Sequence, residues 1–115
     1  MKQELQKRNI VRNLFKKILR NFIDIFILFS LAKTDFLSGY DILTKINDRY
    51  MLLLSPGTVY SILYRLEREG LIEGQKMDGK RVYRITEKGR KHVEYINKNR
   101  WSILKSIEQL ITTDL

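Results

Sequence analysis

On a helical wheel of residues 56–69, Gly57, Ser61, Tyr64, Arg65 and Arg68 gather on one side and Val59, Ile62, Leu63 and Leu66 on the other. The polar side is small near its N-terminal end and basic further on, which is the surface that insertion into a DNA major groove requires. Gly57 and Ser61 permit close approach, Thr58, Ser61 and Tyr64 donate hydrogen bonds, and Arg65 can pair with a guanine edge or a phosphate. The unpaired amides at the helix start, Ser55 to Thr58, favour an anion. An amphipathic helix with a merely solvated polar face has the same wheel, so the neighbouring elements must decide between the two.

Those neighbours are clearly punctuated. Ser55 caps the helix, Pro56 takes its first position, Leu54 is placed to staple onto Val59, and Gly70 follows the end at about Glu69. Upstream, Ser38 caps a shorter helix through about Arg49, with Ile42, Leu43 and Ile46 on one face and Gly39 an unfavourable residue just inside it. Downstream, residues 71–75 and 81–86 read as two strands, with Tyr83 and Ile85 facing one way and Val82 and Arg84 the other; the Asp78-Gly79 pair between the strands suits a two-residue type I′ turn. Lys76, Lys80 and Arg81 make the hairpin tip basic. Such a tip can follow a DNA backbone or place an Arg in a narrow minor groove, or its charges can serve only to block pairing at a strand edge. Two short helices followed at once by a basic hairpin make a winged helix-turn-helix.

Longer helices are predicted on both sides. Ile10, Val11, Leu14, Phe15, Ile18, Leu19, Phe22, Ile25, Phe26 and Phe29 recur at steps of three and four, the pattern of one long helix, or two in line, over residues 3–32. Thr86 caps a final helix to about Thr113, along which Val93, Ile96, Trp101, Leu104, Ile107 and Ile111 keep near-heptad spacing. The expected fold is mostly α with a small β-hairpin: an N-terminal basic and apolar helix over 1–32, the winged core over 33–86, and a C-terminal dimerisation helix over 87–115. Apolar stripes on the flanking helices exceed what a small winged domain can cover, so a dimer interface is expected through Leu14, Ile18, Phe22 and the stripe from Val93 to Ile111.

Composition narrows the partner and excludes most catalysis. Lys and Arg number 22 against 13 Asp and Glu in 115 residues, a net charge of +9 that favours a polyanion, and residues 1–32 alone hold seven basic against two acidic side chains. With no Cys and a single His, His92, no metal or cofactor is expected. No glycine-rich phosphate loop or Gly-x-Ser-x-Gly elbow is present, and Glu67, Glu69 and Glu73 read as solubilising partners of nearby bases, so no enzyme is expected. The apolar run Phe22 to Ala32 is interrupted by Asp24 and is too short to span a bilayer, which makes a cytoplasmic protein without a membrane partner the expectation.

The segment SGYDILTKINDRYMLLLSPGTVYSILYRLEREGLIEG, followed by DGKRVYRITEKGRKHV, resembles the PadR family of winged-helix transcriptional regulators. The motifs that carry the likeness are Gly39-Tyr40, Ser55-Pro56-Gly57-Thr58-Val59-Tyr60, Arg65-Leu66-Glu67, Glu69-Gly70-Leu71-Ile72 and Tyr83-Arg84-Ile85-Thr86-Glu87-Lys88-Gly89. The resemblance implies a homodimer joined through its first and last helices, and a repressor on a two-fold-related operator in double-stranded DNA. Position by position it also implies DNA-facing roles for Ser38, Tyr40, Thr58, Tyr60, Ser61, Tyr64, Arg65, Lys80 and Arg81. Tyr60 and Tyr40 each have a second reading as packing tyrosines with the hydroxyl at the rim. It further implies a planar aromatic effector held at the dimer interface, beside Trp101 and the Phe22 to Phe29 cluster, although aromatic residues at helical spacing also simply fill interfaces. Two other functions share this sequence: an architectural DNA binder that neutralises phosphate with little sequence preference, and a membrane-surface or protein-interaction module whose basic N-terminal helix lies on anionic lipid.

Overall fold

The computed structural model describes residues 1–112. Six helices and three strands follow in the order α1 (Lys2–Asn21), α2 (Ile23–Ala32), β1 (Leu37–Ser38), α3 (Gly39–Tyr50), α4 (Pro56–Arg68), β2 (Ile72–Met77), β3 (Lys80–Ile85), α5 (Glu87–Lys98) and α6 (Arg100–Thr112). The expected end of the last helix at about Thr113, and the end of the 87–115 segment, lie outside the described residues.

The strongest local signals carry the winged part. Ser38 and Asp41 close a reciprocal capping box, Asp41 N donating to Ser38 Oγ at 3.0 Å and Ser38 N to the Asp41 carboxylate at 3.2 Å. Ser55 Oγ accepts from Thr58 N at 3.2 Å with Pro56 at the first turn. α4 stops where Gly70 turns left-handed, at φ 76°, with Leu71 N donating back to Leu66 O at 3.0 Å. Asp78 and Gly79, at φ 51° and 77°, make the left-handed pair that a type I′ turn needs.

Two features differ from the sequence-based expectation, a third strand and a break in the last helix, while the N-terminal segment takes the form of two helices in line. The hairpin gains a short third strand, so the sheet is antiparallel in the order β1-β3-β2, with Leu37 opposite Tyr83 and Ser38 opposite Val82. The two flanking helices are each broken, at Phe22 and at Asn99, without glycine or proline. Both breaks lie at an asparagine whose side chain competes for helix carbonyls: Asn21 Nδ2 donates to Lys17 O and Asn99 Nδ2 to Tyr95 O, each at 2.9 Å.

One core holds the winged part together. Ile23, Ile27, Leu28 and Leu31 of α2 meet Ile42 and Ile46 of α3, Val59, Leu63 and Leu66 of α4, and Leu37, Ile72, Tyr83 and Ile85 of the sheet. Full burial of such side chains contributes about 1.5–3 kcal/mol each before chain entropy is counted. By contrast α1 and α6 bury no residue at all. The radius of gyration is 16.6 Å, against about 13 Å for a compact chain of this length. The excess comes from these projecting helices, and the molecule measures 52 × 32 × 21 Å.

Candidate nucleic-acid interface

α4 presents the face that its wheel requires. Val59, Leu63 and Leu66 are inside, and Gly57, Thr58, Tyr60, Ser61, Tyr64 and Arg68 are exposed. A Cβ added at Gly57 would meet nothing within 4 Å, so the backbone here is open to close approach. Ser55 and Ser38 keep their hydroxyls near the starts of α4 and α3, where each accepts a backbone amide. Ser38 Oγ acts there as an acceptor, which leaves its proton free to donate.

The packing of Tyr60 explains the glycine inside α3. Its ring lies against Gly39, where a Cβ would overlap it, so the two helices of the helix-turn-helix touch through an aromatic face. Tyr60 remains 46% exposed and Tyr40, one residue further along α3, is 70% exposed. The packing role and an outward hydroxyl are therefore compatible in Tyr60.

Asn47, which sequence reasoning missed, fixes the path into α4. Its side chain accepts from Leu54 N at 2.8 Å and donates to Leu54 O at 3.4 Å, while Met51 and Leu53 turn left-handed at φ 54° and 55°. Two non-glycine residues in that region cost energy that surrounding bonds must offset. Replacing Asn47 by Ala is expected to lower stability by about 1–2 kcal/mol through the orphaned Leu54 amide. Urea unfolding measures this, and an unchanged midpoint would discount the clamp. The sequence signal was an asparagine beside an otherwise apolar stretch, Met51 to Leu54.

The predicted arginines are engaged by carboxylates. Arg65 turns toward α2 and meets Asp24 at 3.1 Å and Glu69 at 3.3 Å. The hydrogen bond that Arg65 donates to Asp24 is the main cause that raises its pKa above the ordinary arginine value. On the wing, Arg81 meets Glu67 of α4 at 2.6 Å, and the nearby charge of Glu67 raises its pKa in turn. Arg84 pairs with Glu73 across the hairpin. Of the carboxylates expected only to solubilise, Glu69 bonds within its own helix, but Glu67 and Glu73 connect different elements.

What remains outward and uncommitted is a cationic, aromatic surface. Lys76 and Lys80 are exposed and form no ion pair among the described residues. Arg68 stacks over the Tyr64 ring at 5.1 Å. Between α4 and the wing lies a shallow hollow of about 420 Å³ lined by Tyr60, Tyr64, Glu67, Arg68, Arg81 and Tyr83. Burial raises the Tyr83 pKa, so its phenol stays protonated.

Residues 27–95, spanning α2 to α5, match the transcriptional regulator PadR-like family. The chain belongs to the PadR-like family of transcriptional regulators. A solved PadR-like transcriptional regulator from Bacillus cereus is similar at a TM-score of 0.69 and 25% identity, over 85% of this chain and 99% of the other. A PadR family transcription regulator from Clostridium difficile is similar at 0.63 and 30% identity, over 78% of this chain and 97% of the other. The transcriptional activator GvpE1 of Halobacterium salinarum is 34% identical over 70 residues. The chain spans only 37% of the length of that relative. This PadR-like chain is thus of a DNA-binding regulator family, not an enzyme family. Among the described residues no acidic, His or Cys cluster suits a metal, and no helix is long and apolar enough to cross a membrane.

The predicted interface residues of the flanking helices are largely uncovered in this PadR-like chain. Leu14, Phe22, Trp101, Leu104 and Ile111 are exposed, Trp101 at 72%, and Ile18, Ile96 and Ile107 are half-buried. Val93 alone of that set packs against the core. An open groove of about 840 Å³ lies where α1, α2 and the end of α3 meet, with Phe22, Phe26 and Phe29 in its wall; Trp101 is not part of it.

Proposed function

We propose that the protein binds double-stranded DNA as a homodimer, places α4 in successive major grooves of a two-fold-related operator, and represses transcription there. The observation that carries this reading is the outward face of α4, small at Gly57 and Ser61 and aromatic and basic at Tyr64 and Arg68, set beside the unpaired wing cations Lys76 and Lys80. Ser38, Tyr40, Ser55, Thr58 and Tyr60 complete the surface offered to DNA. Arg65 and Arg81 border that surface and are held by Asp24, Glu69 and Glu67.

Dimerisation follows from the same physics as the exposed stripes. Ile10, Val11, Leu14 and Phe15 on α1 and Trp101, Leu104, Leu110 and Ile111 on α6 form apolar surface that a lone protomer leaves in water. The segment 1–32 accordingly serves the dimer through α1 and the core through α2, and the segment 87–115 serves as the second dimer arm. Half-sites one helical turn apart, about 10 base pairs, or a small multiple of it, suit such a dimer. Repression needs no further surface, since a dimer seated on two half-sites excludes other proteins from that DNA. Activation is the second reading, favoured by the likeness to the activator GvpE1. Transcription in vitro from a promoter carrying the site separates them by the sign of the change.

Selection of bound duplexes from a random library, followed by affinities for the winner and a scrambled control at two salt concentrations, tests the central reading. A two-fold motif preferred by a factor of about 10³ or more supports it. Steep salt dependence with no motif would instead make the protein an architectural binder, and no binding would overturn DNA as the partner. Gly57→Ala is expected to stabilise the fold by up to about 1 kcal/mol, because glycine is a poor helix residue. The same methyl group, projecting into the open face, is expected to weaken duplex binding. Equal affinity in the variant would move the groove contact away from Gly57.

A further inference from the structure

We infer that Glu67 and Arg81 form a strut that fixes the angle between the wing and the recognition helix, so that both are positioning residues for DNA binding and Arg81 is not a phosphate ligand. The inference rests on the DNA-binding reading above and deepens it.

The seat of Arg81 is built from several sides. Its guanidinium lies 2.6 Å from the Glu67 carboxylate and 5.7 Å from the centre of the Tyr83 ring. It also lies across β2 at Gly74, where a Cβ would come within 2.9 Å of it; the missing side chain there is what gives the arginine passage. The base of the wing is held by Ile72, Tyr83 and Ile85 in the core, but the distal stretch from Gln75 to Arg81 is exposed. A two-stranded ribbon with so little buried area is marginal by itself. Among the described residues, Arg81–Glu67 is the only ion pair that joins the sheet to α4.

Charge argues the same way. Glu67 borders the hollow between α4 and the wing beside Tyr64 and Arg68, where a bare carboxylate repels phosphate, and it is neutralised there by Arg81 at hydrogen-bond distance. A phosphate taking Arg81 would have to displace Glu67 and leave that carboxylate unpaired beside it. Lys76, Lys80 and Arg68 make their cations available without that loss.

The two roles of Arg81 predict opposite signs for one substitution. If Arg81 binds phosphate, Glu67→Gln removes a repulsive charge and tightens binding; if the pair is a strut, Glu67→Gln loosens it. The experiment measures binding of the selected duplex over a salt series for the wild type, Glu67→Gln, Arg81→Gln, Arg81→Lys and the double Gln variant, together with amide exchange at residues 75–81 in the free proteins. The strut predicts that each single variant, Arg81→Lys included, loses about 3- to 30-fold in affinity. The double variant loses no more than the worse single, and the salt slope stays unchanged. Wing amides exchange faster in every variant, while those of α4 do not change. Tighter binding by Glu67→Gln, retained affinity in Arg81→Lys, or a slope reduced by about one phosphate contact in Arg81→Gln overturns the strut. Unchanged wing exchange overturns it too. A wild type that binds no duplex overturns the proposed function instead, and the exchange measurement then still decides the strut.

Discussion

Placing carboxylates in the exposed stripes of the flanking helices, as Leu14→Glu with Leu104→Glu, is expected to leave a monomer that binds a two-half-site duplex about a hundredfold or more weaker than the wild type. Both side chains are half in water in the isolated protomer, Leu14 at 47% and Leu104 at 53% exposure, and neither belongs to the core. The winged part should therefore fold as before, and its melting should stay close to wild type. A stable dimer needs roughly 800 Å² from each partner, an area that apolar surface on helices of 20 and 13 residues can supply. A buried, unpaired carboxylate at that surface costs far more than the leucine contributed. The loss of affinity then comes from geometry, since one winged domain engages one half-site and forfeits the effective concentration that links the second. Light scattering gives the mass, and titration of the selected duplex gives the affinity. A double variant that stays dimeric with full affinity would place the interface elsewhere.

Gly89→Ala is expected to cost about 2–4 kcal/mol of folding stability, more than a typical surface change, because a backbone atom occupies the place of the new methyl group. Gly89 is the third residue of α5 and is buried there. An added Cβ would overlap the carbonyl oxygen of Leu71, and it would also crowd Ile85. The neighbourhood cannot retreat easily. Leu71 O accepts Thr86 N at 3.1 Å, Thr86 Oγ1 donates to Gly70 O at 2.7 Å, and Lys88 Nζ donates to Glu69 O at 2.7 Å. The start of α5 is thereby stapled to the turn between α4 and β2, and the methyl group must prise that staple open. Chemical denaturation should show a lower midpoint with an unchanged slope. A midpoint equal to wild type would mean that α5 can slide over Leu71.

Local chemistry explains which parts were legible from sequence. Ser38, Ser55-Pro56, Gly70 and Asp78-Gly79 each dictate a cap or a turn within a few residues, and α3, α4 and the hairpin lie where those residues put them. The strand at Leu37–Ser38 had no pattern of its own; it exists because Tyr83 and Val82 offer an edge far along the chain. The break at Asn99 was hidden because asparagine is an ordinary helix-surface residue, and only back-bonding like that of Asn21 marks it. For the candidate site, the wheel sorted outward from inward on α4, including the exposed Tyr64 and buried Leu63. It could not see that Arg65 reaches Asp24, 41 residues earlier, or that Arg81 reaches Glu67, 14 residues earlier, since such pairs follow from tertiary placement.

The projection of α1 bears on how quickly the protein finds DNA as well as how tightly it holds it. Seven basic side chains and one acidic lie along Lys2–Asn21, a rod about 30 Å long whose residues are nearly all in water. Salt confines the field of each charge to about 8–10 Å, so charge carried on an arm reaches further from the body than the same charge folded into it. The arm enlarges the target for encounter and can be met by a duplex before α4 is aligned with its groove. In the proposed complex its contribution therefore belongs to the association rate, which ionic strength suppresses, whereas the lifetime of the seated complex would rest on α4 and the wing.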